Sequence, residues 1–223
     1  MSDDRGVAAL LRLMAWLSPA FPVGGFSYSG GLEKAVEDGR VPDAAGLLGW
    51  VETLLRHGSL WNDAVFLAEG WRRGSDAAAL NETATLARAL AGAAERYRET
   101  ILLGDAFVAA AGAWPHAVLE LLPEECPYPV AVGAVAAAHG VPLRETLAAF
   151  AHAGVSQMVS AGIRLGVAGQ KDGVVILAAS EAVIEEMAAR AAQSTLDDLG
   201  SATIIADTAA MRHEVQGTRL FRS

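Results

Sequence analysis

The tetrapeptide Val174-Val175-Ile176-Leu177 decides the fold class, because its composition favours a β-strand over a helix. A strand needs a neighbour to pair with, and the chain offers no second apolar β-branched run. The tetrapeptide is therefore read as helical, although Gly166 to Asp172 just before it is ambiguous. Glu181 to Ala192 on its far side is amphipathic at helical spacing. Upstream, a helix follows Pro142 and reaches Leu165, without formal charge from Thr146 to Ile163.

The same periodicity continues toward the N-terminus. Leu10, Leu13, Met14 and Leu17 form a stripe stopped by Pro19 and Pro22, and Leu47, Trp50, Val51, Leu54 and Leu55 share a face after Pro42-Asp43. A short helix begins near Leu32, another covers Leu60 to Arg73, Ser75-Asp76 caps one toward Leu90, and a further one spans about Ala93 to Ala111. Pro115, Pro123, Pro127 and Pro129 mark a long connector before a helix over Val130 to His139. Ser201 or Thr203 is placed to cap a last helix to about Glu214, leaving Val215 to Ser223 as a tail. The expectation is one all-α domain over residues 1–223, a bundle of about eight to ten helices.

Composition agrees. The 223 residues are 52% hydrophobic but only 6% aromatic, and about a fifth are alanine, the best helix former. A formal net charge of -9 is the wrong sign for a nucleic-acid binder. The single cysteine, Cys126, can form neither an internal disulfide nor a thiolate zinc site. Met1-Ser2-Asp3-Asp4 lacks a basic leader, so a cytoplasmic protein is expected. Thr146 to Ile163 is long enough for a membrane span, but His152, Ser156, Gln157 and Ser160 make it a buried helix, and no membrane contact is expected.

Catalytic motifs fare poorly. The loop Gly24-Gly25-Phe26-Ser27-Tyr28-Ser29-Gly30-Gly31 lacks the Gly-Lys-Ser/Thr of a phosphate-binding loop, since Lys34 follows Glu33 and no hydroxyl residue comes next. Gly25-Phe26-Ser27-Tyr28-Ser29 approximates a nucleophile elbow, and Asp207 and His213 would complete a Ser, acid, His order, giving a serine hydrolase on Ser27 as the enzyme alternative. Against it, the elbow ends in serine rather than glycine and needs a sheet. His57, His116, His139, His152 and His213 are scattered without metal-ligand spacing, and neighbours such as His213 and Glu214 point to different sides of a helix. The stretch from Arg212 to Ser223 is distinctive, with a Leu220-Phe221 pair between Arg219 and Arg222. It suits docking onto an acidic partner or packing on its own domain.

Pro22-Val23-Gly24-Gly25-Phe26-Ser27-Tyr28-Ser29-Gly30-Gly31-Leu32-Glu33 resembles the N-terminal motif of the UreF family of urease accessory proteins. Gly200-Ser201-Ala202-Thr203, then Arg212-His213-Glu214, then Thr218 to Ser223, resembles its C-terminal signature, with Arg98-Glu99-Thr100 and the Gly162 to Gln170 segment as further landmarks. The resemblance implies an all-α, homodimeric, non-enzymatic protein. Its partners would be UreD (also called UreH), the GTPase UreG and, through the complex, apo-urease. No firmly bound cofactor is implied: nickel is handled by the complex, and GTP is bound by UreG.

Partner-binding residues transferred on these motifs are Arg212, His213, Glu214, Gln216, Thr218, Arg219, Leu220, Phe221, Arg222 and Ser223 for UreD. Arg164, Gln170, Arg98 and Glu99 follow from the central landmarks, Arg164 being nominated for contact with UreG, and Gly24, Gly25, Phe26, Tyr28 and Glu33 from the N-terminal motif. No catalytic or metal-ligating residue is expected. Ala153-Gly154 and Ala161-Gly162 would permit the close helix approach of a dimer seam or of ordinary packing.

Overall fold

The computed structural model describes residues 2–223, with side chains from residue 6 onward. Met1, the start of the segment read as lacking a leader, lies outside the described residues, as do the side chains of residues 2–5. In chain order the helices are α1 (Ser2–Trp16), α2 (Leu32–Glu37), α3 (Ala44–His57), α4 (Ser59–Arg73), α5 (Ala77–Ala89), α6 (Ala94–Ala111), α7 (Val118–Leu121), α8 (Tyr128–Ala138), α9 (Leu143–Arg164), α10 (Gln170–Ala191) and α11 (Ile204–His213). One of the eleven, α7, is a single turn, and no strand occurs among the described residues. The fold is all-α, as the composition requires.

Helix starts follow local chemistry. The Asp43 carboxylate accepts the Gly46 N–H at 2.9 Å, and Asp76 accepts those of Ala78 and Ala79, each quenching orphan donors of a first turn. Thr203 differs from expectation: its hydroxyl and that of Ser201 turn to the Asp207 carboxylate, and no side chain caps α11.

The decisive tetrapeptide lies inside α10, one continuous helix from Gln170 to Ala191 rather than an ambiguous loop followed by a shorter helix. Gly173, Ile176, Ser180, Val183, Ile184 and Met187 are buried at helical spacing, whereas Val174 and Val175 stand in solvent, so tertiary burial overrides β-propensity. The proline-rich connector contains α7, too short to leave a periodic signal.

The core explains the excess of small residues. Helix α4 is buried from Ala64 through Gly70 and packs most extensively on α8, itself buried from Pro129 to Ala136. The two backbones touch. A Cβ on Gly133 would sit 2.1 Å from the Leu67 carbonyl oxygen, and one on Gly70 would sit 2.6 Å from that of Val130. Helix α9 packs on α10, α4 and α3, and Ala161 and Gly162 serve this internal contact, with Leu47 against Gly162. Ala153 and Gly154 are half-buried on the wall of a cleft. Among the described residues no helix is long and apolar enough to cross a membrane.

Candidate functional site

The two segments that stand out in the sequence meet in space. Gly24, Gly30 and Gly31 take positive φ values of 80°, 61° and 82°, which lets residues 24–31 fold back over a 3-10 turn at Gly25–Ser27. Gly31 is also sterically required, since a Cβ there would lie 2.7 Å from the Ala210 backbone nitrogen of α11. The loop then receives the tail: the Arg222 N–H donates to the Ser27 carbonyl at 2.8 Å, and the Ser29 N–H to the Ser223 backbone oxygen at 2.7 Å. Buried Ser29 adds its hydroxyl to the same Ser223 oxygen, while its Oγ accepts the Glu33 N–H at the start of α2.

Beneath this pairing lies a charged cluster. Glu33 Oε1 accepts the Leu220 N–H at 2.7 Å, and Oε2 accepts the Phe221 N–H at 3.0 Å. His213, fully buried, stands with Nε2 3.1 Å from Glu33 Oε2 and Nδ1 2.6 Å from Glu95 Oε2. The other Glu95 oxygen takes Arg219. One turn along α6, Glu99 Oε2 accepts the Ser223 hydroxyl at 3.1 Å, and Glu99 Oε1 pairs with Arg96 Nη1 at 3.3 Å, Arg96 also pairing with Asp63.

These surroundings set the acidities. Burial pushes the Glu33 carboxyl up, but the Leu220 N–H, His213 and the Phe221 N–H outweigh it and hold Glu33 below its usual range. For Glu99 burial wins over Arg96 and Ser223, and its carboxyl rises. Burial opposes the charge of Arg96, yet Asp63 and Glu99 more than offset it and hold the guanidinium firmly protonated.

Arg164, at the end of α9, joins loop and tail from outside. Its Nη1 donates to the Phe26 carbonyl at 2.6 Å, and its guanidinium lies 4.2 Å from the centroid of the Phe221 ring. Arg212 pairs with Asp38 at 2.8 Å, and Glu214 accepts the Ala94 N–H at 2.7 Å, so Glu214 meets the start of α6 next to the Glu95 that contacts His213, and the two neighbours do not part to different sides as their adjacency suggests.

The tail is thus seated on its own chain, and the nominated residues divide. Tyr28, Glu33, Glu99, His213, Phe221 and Ser223 are turned inward and support the junction. Phe26, Arg164, Arg212, Glu214, Thr218, Arg219, Leu220 and Arg222 are exposed around it, with Gly24, Gly25 and Gln216 half-buried. Arg98 on α6 and Gln170 at the start of α10 are exposed without any side-chain hydrogen bond that ties them to the junction. Glu95 and Ser29 belong to the site and were not nominated. Glu95 and Glu99 share one face of α6 at a four-residue spacing, which is the signal that would have found the former. Beside the junction opens a cleft of about 700 Å³, bounded by the glycine loop, α6 and α9.

The hydrolase alternative finds no support in the geometry. His213 spends both ring nitrogens on carboxylates, Asp207 takes Ser201 and Thr203, and there is no strand to carry an elbow among the described residues. Scattered in sequence, His116 and His139 bring their rings within 5.3 Å, but burial first, and then the charge of Arg12, hold His139 below its usual value, and the same surroundings disfavour a cation. Among the described residues no group of three or more His, Cys, Asp or Glu side chains could hold a metal ion.

The UreF family model matches residues 41–181, a span that includes neither the glycine loop nor the tail. Full-length relatives cover both. The urease accessory protein UreF of Agrobacterium fabrum is 86% identical over 223 residues, the whole of each chain. That of Rhizobium etli is 64% identical, again end to end. UreF 1 of Brucella canis is 60% identical over 215 residues, 96% of this chain and 94% of its own. This chain belongs to the UreF family of urease accessory proteins.

Proposed function

We propose that the chain is a non-catalytic adaptor in urease maturation. It bridges UreD and the GTPase UreG in the complex that delivers nickel to apo-urease, and it modulates GTP turnover by UreG. Nickel is cargo of that complex and GTP belongs to UreG. The chain acts in the cytoplasm as a homodimer, with the half-buried Ala153-Gly154 surface as a candidate seam.

The observation that carries this reading is the loop–tail junction, where family motifs from both ends of the chain form one surface. Its outer side presents Phe26 and Leu220, 73% and 54% exposed, beside Arg219 and Arg222. Apolar side chains with cationic neighbours suit a partly acidic protein partner. The buried half of the motif keeps that surface in shape and does not itself touch the partner.

Leu220→Asp separates the two roles, because its side chain is exposed while its N–H stays available to Glu33. Co-purification with UreD should be lost while the Phe221 amide remains protected from exchange. Undiminished co-purification overturns the assignment of the tail. For UreG, Arg98→Ala and Gln170→Ala should lower recruitment or change GTP turnover, and unchanged values for both would remove those residues from the surface.

A further inference from the structure

Buried His213 presents both ring nitrogens to carboxylates from two different helices, Glu95 on α6 and Glu33 on α2. A neutral imidazole has one N–H and one lone pair, so it satisfies one carboxylate and turns a lone pair on the other. The doubly protonated ring satisfies both. The charges around it agree: Glu33 and Glu95 supply two negative groups, and Arg219 together with an imidazolium balances them. Glu33 takes two backbone N–H groups besides the ring, the pattern of an ionised carboxylate, which only accepts. Neighbouring charges are committed elsewhere, Glu99 to Arg96, Arg212 to Asp38 and Glu214 to the Ala94 N–H.

The two carboxylates that His213 spans are the ones that hold residues 219–221. We propose that His213 is a proton-operated latch on the tail: with both ring protons in place it fixes Glu33 and Glu95 in the docking position, and loss of one proton releases residues 219–223. Without that proton, two buried carboxylates share one arginine and one ring N–H, and one of them faces a lone pair. Turning a carboxylate outward relieves this, and it carries away the bonds to Arg219, Leu220 and Phe221. The docked state binds the proton and the released state does not, so docking weakens as pH rises, by up to about tenfold per pH unit for release coupled to one proton. The latch concerns the isolated chain and stands independently of which partner the tail meets.

The test uses the full chain labelled with ¹⁵N. Ring nitrogen shifts distinguish a doubly protonated imidazole from a neutral one, and exchange of the Leu220 and Phe221 amides, corrected for the intrinsic pH dependence of exchange, reads docking. The His213 signals are assigned by their loss in His213→Gln or, if that chain does not fold, by elimination after replacing the other four histidines, the exposed His57, His116 and His152 and the half-buried His139. On raising pH from neutrality, a doubly protonated ring should lose its proton over the same interval in which the two amides lose protection, while core amides of α4 stay protected. Four results overturn the latch: a singly protonated ring beneath a protected tail, protection unchanged while the ring titrates, a ring that keeps both protons until the whole chain unfolds, and a tail unprotected throughout. His213→Gln, if folded, should show the low protection near neutral pH that the native chain reaches only at higher pH.

Discussion

The guanidinium carbon of Arg164 lies over the ring of Phe221, 4.2 Å from its centroid, while the side chain donates a hydrogen bond to the backbone of Phe26. One exposed side chain thereby ties the end of α9 to both the glycine loop and the tail. Arg164→Ala removes a cation–π contact worth about 0.5–1 kcal/mol at an exposed site, together with one hydrogen bond. Trypsin should then cleave after Arg219 or Arg222 several times faster, with the thermal melt of the helices almost unchanged. An unaltered cleavage rate would mean that the tail holds without Arg164. Any effect of this substitution on UreG therefore has to be read against the state of the tail.

Glu33 makes docking sensitive to acid. Its carboxyl is held below the ordinary value of 4.5 in the docked state, so its contribution is fully present above that value and is lost as pH falls through the docked-state value. Tail protection in the native chain should decline in acid below the ordinary carboxylate range. Glu33→Gln should weaken docking already at neutral pH, by about 1.5–3 kcal/mol for bonds to a charged acceptor. Amide exchange at Leu220 and Phe221 against pH checks both, and a flat acid profile would contradict the role of Glu33.

Gly133→Ala should disrupt the centre of the fold. The added Cβ meets the Leu67 carbonyl at 2.1 Å, and the obstacle is helix backbone that cannot rotate away. Overpacking at the ~3 kcal/mol end of its usual range would lower the melting temperature by roughly 6–12 °C for a domain of this size. Circular dichroism melts give the answer, and a shift of less than a degree would show that α4 and α8 can part cheaply.

Cys126 should be inert while the chain is folded. Burial raises its thiol to about 12, leaving almost no thiolate at pH 8. Iodoacetamide should label it only after unfolding in guanidinium, as mass spectrometry would record. Rapid labelling of the native chain would contradict the packing around α6 and α8.

Most helices were legible because their signals are local. Asp43 and Asp76 announce the starts of α3 and α5, and the prolines bound α1 and α9. The strand-like Val174-Val175 pair misleads only if read without its neighbours, since the burial of Ile176, Ser180 and Val183 belongs to tertiary structure. The turn of α7 was too short for periodicity to register. The site was half legible. Its two segments are conspicuous in sequence, yet nothing local says that Ser27 and Arg222 share a hydrogen bond. The tail's two open readings turn out to concern different side chains: Phe221 and Ser223 pack inward, while Leu220 and Arg222 face solvent. Glu95 went unseen because a lone glutamate near a helix start reads as a solvated residue, and only the buried ring of His213 gives it another meaning.

The bond between Ser29 and Ser223 spans 194 positions. During synthesis the glycine loop precedes its partner by that many residues and stays unpaired until Arg222 and Ser223 have been made, by which time the buried helices can already have collapsed. Closing so long a loop is slow relative to local helix packing. A chain cut before Arg219 would keep its helices and lose this surface, so the junction doubles as a check on both of its segments at once: only a polypeptide that carries the loop and the stretch through Ser223 can display it.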